Sequence, residues 1–273
     1  MNQHGAADLL IAARRVLLDA MDALHEHHSA LVLVGAQAIY LHTGNVRIAL
    51  AESTKDSDFA IDPRKLRDDP LLEEAMRRAG FTHNAVDPQP GSWLSSDGVP
   101  VDLMVPEQLA GAGSRRSGRI APHSDRATRR TTGLEAAVID HAPMIISALD
   151  SEDTRRIEMN VAGPAALLVA KLHKIGERQA APNRLLDKDA HDVYRLLVAT
   201  ESEAVAAMLR QLREHQLSGA VTRDALVYLH QLFAAGPDAS GSTMAGRAER
   251  LVGSPATVSA SASALAADIL ALL

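Results

Sequence analysis

Ala30-Leu31-Val32-Leu33-Val34-Gly35-Ala36-Gln37-Ala38-Ile39-Tyr40-Leu41-His42 is the stretch on which the fold turns. The apolar run 30–34 reads as a short buried strand, and it stops at Gly35, where a helix over roughly 36–42 begins. A strand passing straight into a glycine-started helix leaves backbone N–H groups without acceptors at one point, and such a point suits phosphate.

Working outward, residues 6–27 carry a helical period. Arg14 and Arg15 interrupt its apolar run, so it reads as an amphipathic helix and not as the uncharged core of a signal peptide. Downstream, a polar loop leads to Ser53-Thr54-Lys55-Asp56-Ser57-Asp58-Phe59-Ala60-Ile61, whose second half alternates as a strand does, and a helix is expected from about 64 to 79. The order is α-β-α-β-α. Around Trp93, residues 92–94, the turn Ser95-Ser96-Asp97-Gly98 and the run 99–105 read as a hairpin, with Pro100 pointing to an edge position. Residues 111–131 are rich in Gly, Ser and Arg and lack a hydrophobic period, and short β-like runs follow at 144–149 and 157–161.

Beyond Gly163-Pro164 everything periodic is helical. The expectation is an α+β chain: a domain over 1–162 with a small mixed sheet flanked by helices, then a helical domain over 163–273 that completes a cleft, with a flexible break at 236–246 before the last helices.

Composition narrows the function. Aromatic residues make up 3% of the chain, so Ala, Leu and Val supply most of the packing, which favours helices. A net charge of -6 excludes a generally electropositive, polyanion-binding body, so any nucleic-acid contact has to be local. The absence of Cys excludes disulfides, thiolate-held zinc and thiol catalysis, and fits a reducing, cytoplasmic setting. The final stretch 251–273 is too rich in Ser and Ala to read as a membrane span, and no membrane partner is expected.

Asp56 and Asp58 are two apart on an expected strand, so their carboxylates point to one side and converge. Such a pair, with Asp102 on another strand as a third member, suits a hard divalent cation such as magnesium. The helix start at Gly35 and the acid pair suit the same ligand, a metal-bound phosphate.

The positions Gly35-Ala36, Thr54-Lys55-Asp56-Ser57-Asp58, Val101-Asp102-Leu103, Lys171-Leu172-His173 and Lys188-Asp189-Ala190-His191-Asp192 together resemble the polymerase-beta-like nucleotidyltransferases, and within them the AbiEii and MenT branch of bacterial toxins. Ala36 departs from the Gly-Gly or Gly-Ser usual at the first motif. The resemblance implies transfer of a nucleoside monophosphate from an NTP to an acceptor hydroxyl with Mg2+ or Mn2+, the tRNA 3' end as acceptor, and a cognate antitoxin as partner. It implies that Asp56, Asp58 and Asp102 hold metal and that Asp102 helps deprotonate the acceptor. Gly35, Ala36, Thr54 and Lys55 would then bind the nucleotide. An antibiotic of the aminoglycoside type as acceptor, or a catalytically silent nucleotide- or RNA-binding module, stays open beside it.

In the second half, Lys171 falls in the middle of an apolar helical face, with Lys174 and Arg178 beside it, and a lysine there needs an anion. On the next helix Asp189 lies within the apolar arc and Asp192 just outside it. Lys171 therefore either pairs with one of these acids or, with Lys174, neutralises NTP phosphates while Asp189 or Asp192 orients them or the acceptor.

Arg115, Arg116, Arg119, Arg126, Arg129 and Arg130 form a local cationic stretch, read either as a solvated loop or as a grip on the phosphates of an RNA acceptor. His25, His27 and His28 crowd one helix end, but no acidic or Cys partner stands near them in sequence, so they read as a solvated end and not as a zinc site. The chain has neither a Gly-x-Ser-x-Gly elbow nor a Gly-Lys-Ser/Thr phosphate loop, which argues against a serine hydrolase and a P-loop NTPase.

Overall fold

The structure is a computed structural model. It describes residues 3–44, 56–86, 88–113, 116–250 and 253–273. The elements in the first part are α1 (Gln3–Ala23), β1 (Leu31–Val34), α2 (Gly35–Thr43), β2 (Ser57–Ile61), α3 (Leu72–Arg78), β3 (Thr82–His83), β4 (Ser92–Leu94), β5 (Pro100–Pro106), β6 (Arg129–Thr131), β7 (His141–Ser147) and β8 (Arg156–Ala162). After Gly163 come α4 (Pro164–Gly176), α5 (Asp187–Ala199), α6 (Ser202–Glu214), α7 (Gly219–Leu229), α8 (Ser240–Ala248) and α9 (Pro255–Ala271).

Among the described residues the strands form one mixed sheet in the order β3-β4-β5-β2-β1-β8-β7, with β6 also paired to β5. β1 lies between antiparallel β2 and parallel β8, and every residue of Leu31-Val32-Leu33-Val34 is buried. That central position explains a continuous apolar run where an edge or one-sided strand would alternate. β2 is parallel to β5, which sets Ser57 opposite Val101, Asp58 opposite Asp102 and Phe59 opposite Leu103.

The structure corrects several expectations. β5 is not an edge strand, because it is paired on both sides; Pro100 is its first residue, where a missing N–H costs no ladder bond. Of the helix expected over 64–79 only Leu72–Arg78 forms. Pro70 has no N–H to donate and biases Asp69 away from the helical region, and Leu71 enters α3 with ψ at 137°. The expected helix over 6–27 ends at Ala23, and His25–Ala30 form a 3-10 turn. The arginine-rich stretch contains β6, and β3 is also present; both are too short to carry a readable period. The expected break at 236–246 is largely occupied by α8. Gly241 and Gly246 serve close packing there: a Cβ on the first would overlap the Phe233 ring and Leu232 carbonyl, and on the second the Pro255 carbonyl.

The chain divides into two compact units and passes between them several times, the last time between Ala162 and Gly163. The first holds the sheet, α1, α3 and the start of α2. The second takes α4 to α9 together with Glu135–Asp140 and the end of α2 from Ile39. Its core includes a buried arginine. Arg195 is 1% exposed, donates from Nε and Nη2 to Thr43 Oγ1 at 3.3 and 3.1 Å, and lies over the Tyr40 ring at 4.8 Å. Among the described residues no helix is long and apolar enough to cross a membrane.

Candidate active site

Gly35 sits at the junction of β1 and α2 with φ at +70°, a conformation that disfavours residues with a Cβ. The register pairs Val34 with Asp58 across the antiparallel β1–β2 ladder. A Cβ on Gly35 would overlap the carboxylate of Asp58. Glycine is thus required twice, by its backbone angle and by the acid lying against its α-carbon. The same arrangement sets the Asp58 carboxylate beside the N-terminus of α2, where the first N–H groups have no acceptor within the helix.

Asp58 and Asp102 are direct register partners on parallel strands, so their side chains leave the same face of the sheet from strands about 4.8 Å apart. Asp102 is partly buried. Its Oδ2 accepts from Arg129 Nη2 at 2.6 Å, while its Oδ1 is buried and has no hydrogen-bond partner. Arg129 reaches Asp102 because β6 pairs with β5 at Met104, two residues on and on the same face.

Asp56 immediately precedes β2. Among the described residues no three acidic or histidine side chains are grouped so as to hold a metal ion, so the three-aspartate cluster expected from the sequence is not assembled. What is present is a two-carboxylate pair with an orphaned oxygen. Carboxylate oxygens are hard donors of the kind that magnesium and manganese take. Ala36 lies in the first turn of α2. Thr54 and Lys55, expected at the nucleotide, lie outside the described residues.

The second unit contains the other charged group. Lys171 on α4 is 7% exposed, and its Nζ lies 3.0 Å from Asp189 Oδ1 and 2.6 Å from Asp192 Oδ2, both on α5. Asp189 is also approached by Lys174 at 2.9 Å and Arg178 at 3.5 Å. Burial alone would depress the Lys171 ammonium, but the Asp192 and Asp189 charges outweigh it and hold its pKa well above the ordinary lysine value. Burial likewise opposes ionisation of Asp189, and Lys171 and Lys174 overcome it, holding that carboxyl well below the ordinary aspartate range. Of the two readings left open by the sequence, the structure shows the ion pair. Asp192 is 2% exposed, inside the apolar face and not beside it, whereas Leu186 precedes α5 and is exposed.

The arginine stretch separates into two kinds. Arg129 is spent on Asp102, and Arg130 donates to the carbonyl of Gly111 at 2.7 Å. Arg116, Arg119 and Arg126 are exposed, and Arg115 lies outside the described residues. His27, expected to be solvated, is fully buried and bonded through Nε2 to the Pro70 carbonyl. Sequence reasoning missed Arg129 as the partner of Asp102 and Arg195 as the buried clamp on the end of α2. No local pattern marks either one, since each partner is far away in the chain.

Compared with protein-family models, with curated proteins and with solved structures, the chain finds no match.

Proposed function

We propose that this protein is a metal-dependent nucleotidyltransferase that moves a nucleoside monophosphate from an NTP onto an acceptor hydroxyl, releasing pyrophosphate. The observation that carries the reading is the pairing of Asp58 with Asp102 in adjacent register, with Asp58 packed against the glycine that starts α2. Acidic oxygens and helix-start N–H groups that have no acceptor within the helix, next to one another, match the two halves of a metal-bound triphosphate. A magnesium or manganese ion held by Asp58 and Asp102 would supply charge neutralisation at the α-phosphate and the leaving pyrophosphate.

In this reading the first-turn N–H groups of α2 bind phosphate oxygens. The acceptor oxygen attacks the α-phosphorus, the bond to pyrophosphate breaks, and Asp102 Oδ1 takes the hydroxyl proton. Arg129 keeps Asp102 aimed through its other oxygen. The acceptor proposed is an RNA, the tRNA 3' end, with a cognate antitoxin as partner; both rest on the motif resemblance alone.

Incubation with labelled NTPs and separate pools of tRNA and of aminoglycoside-type compounds tests the reaction. Label in tRNA with release of pyrophosphate, both lost in Asp58→Ala by several orders of magnitude, is the expected result. Label only in the small molecules moves the acceptor. A second reading, a nucleotide- or RNA-binding module without turnover, draws support from the Asp102–Arg129 bond, which occupies one carboxylate oxygen. It predicts NTP binding untouched by Asp58→Ala and no pyrophosphate with any acceptor.

A further inference from the structure

Arg116, Arg119 and Arg126 occupy two adjacent lengths of backbone. Arg130 N donates to Arg116 O at 2.7 Å and Gly118 N to Thr128 O at 3.0 Å, so 116–119 and 127–130 run side by side. Both lengths border residues 89–91: Arg116 donates to Gln89 Oε1 at 3.1 Å, and Gly91 N donates to Arg126 O at 2.9 Å. Arg77, at the end of α3, is also exposed. Burial first, and then the charges of Arg126 and Arg77, hold His83 below the ordinary imidazole value.

Among the described residues none of Arg77, Arg116, Arg119 and Arg126 makes a salt bridge, although all four are exposed. Among the described residues no acid nearby makes an ion pair with them. Glu73 is buried and accepts from the Ser124 backbone, Glu74 is paired to Arg78, and Asp125 is the one exposed acid within 111–131. On a chain of net charge -6 this is a local concentration of guanidinium groups without a salt bridge.

We infer that Arg116, Arg119 and Arg126 form a track for the sugar-phosphate backbone of an RNA strand. Guanidinium groups fit phosphate through paired N–H donors, and a row of them grips a strand without reading its sequence. A protein partner is disfavoured because a protein interface needs an apolar centre. Among the described residues Val86 is the one large apolar side chain exposed between residues 72 and 131, and a single one does not make an apolar centre. The inference rests on the proposed transfer to RNA and supplies the surface that would hold the acceptor.

The test is fluorescence-anisotropy titration of the full chain with labelled tRNA between roughly 50 and 200 mM salt, where phosphate contacts show as the slope of log affinity on log salt. The triple change Arg116→Gln, Arg119→Gln, Arg126→Gln is compared with Arg156→Gln, which removes an exposed arginine on β8. We expect the triple variant to lose about 2–3 from the slope and at least tenfold in affinity at the lower salt, and Arg156→Gln to change neither. An unchanged slope in the triple variant overturns the inference, as does binding of polyglutamate in place of tRNA. Single substitutions at each arginine, expected to remove about one slope unit apiece, carry the test if the triple variant does not fold. Nucleotide transfer is measured on the same preparations. Label in tRNA with an unaltered slope defeats only the track, whereas no label in any acceptor defeats the enzymatic reading whatever the binding result.

Discussion

The carboxylate of Asp58 fills the space that a side chain on Gly35 would need. Replacing Gly35 therefore has two costs, one from a positive φ and one from displacing the acid. Gly80 also has a positive φ, 85°, but a Cβ there meets nothing within 4 Å. Gly80→Ala is expected to lose only the backbone component, about 1–2 kcal/mol, and Gly35→Ala distinctly more. Denaturant unfolding of the two variants measures the difference, and equal losses would show that Asp58 yields freely.

Asp102 and Arg129 should be energetically coupled. Their 2.6 Å bond is charge-assisted and 20% exposed on each side, so solvent screens it only in part. A double-mutant cycle with Asp102→Asn and Arg129→Gln is expected to give a coupling of about 1–3 kcal/mol. Arg129→Lys keeps the charge but loses the planar fork and should recover only part of it. A coupling near zero would mean that the two side chains merely lie close together.

Lys171 holds α4 to α5 through two acids, so Lys171→Ala leaves Asp192 buried without a counter-ion. The expected loss is about 3–5 kcal/mol in unfolding free energy. The pH dependence follows from the direction of the shifts. Asp189 ionises more readily folded than unfolded, so its contribution is complete above the ordinary aspartate value of 3.8 and fades as pH falls below it. Lys171 is shifted upward, so its contribution is complete below the ordinary lysine value of 10.5 and fades above it. Urea titrations at stepped pH should show these losses at the two ends, and Lys171→Met should flatten both.

His27 works in the opposite sense near neutrality. Burial, above all, holds it below the ordinary value of 6.5, with His123 and Arg67 adding to the effect and the Pro70 carbonyl and Glu26 opposing it. Its Nε2 is bonded to the Pro70 carbonyl and its Nδ1 is buried with no partner, an arrangement that suits the neutral ring. As pH falls below 6.5 the unfolded chain takes up a proton that folded His27 resists, so stability declines until His27 itself becomes protonated. His27→Gln keeps a donor for Pro70 and should remove that part of the slope. Wild type and variant with identical slopes between pH 6.5 and 5 would contradict this.

Much of the first unit was legible from period alone. Leu31–Val34, Phe59–Ile61 and the hairpin about Trp93 carry patterns that neighbouring residues enforce. The helix over 64–79 was overcounted because Pro70 acts locally against an otherwise permissive stretch, and β3 and β6 are shorter than any readable repeat. At the site, Gly35 and the acids at 58 and 102 could be picked out as residue types.

By itself the sequence determined the opening order of helix, buried strand, glycine-started helix and acid-bearing strand, and the run of helices after Gly163, because those depend on side chains close together in the chain. Only the tertiary structure decided that Asp58 and Asp102 stand in register without Asp56 completing a three-acid group. It also decided that Arg129 takes one oxygen of Asp102, that Lys171 is spent on Asp189 and Asp192, and that Arg116, Arg119 and Arg126 are left over. Charges act through space, and which charges meet is set by strand pairing and helix packing between residues far apart in sequence, where no periodicity reaches.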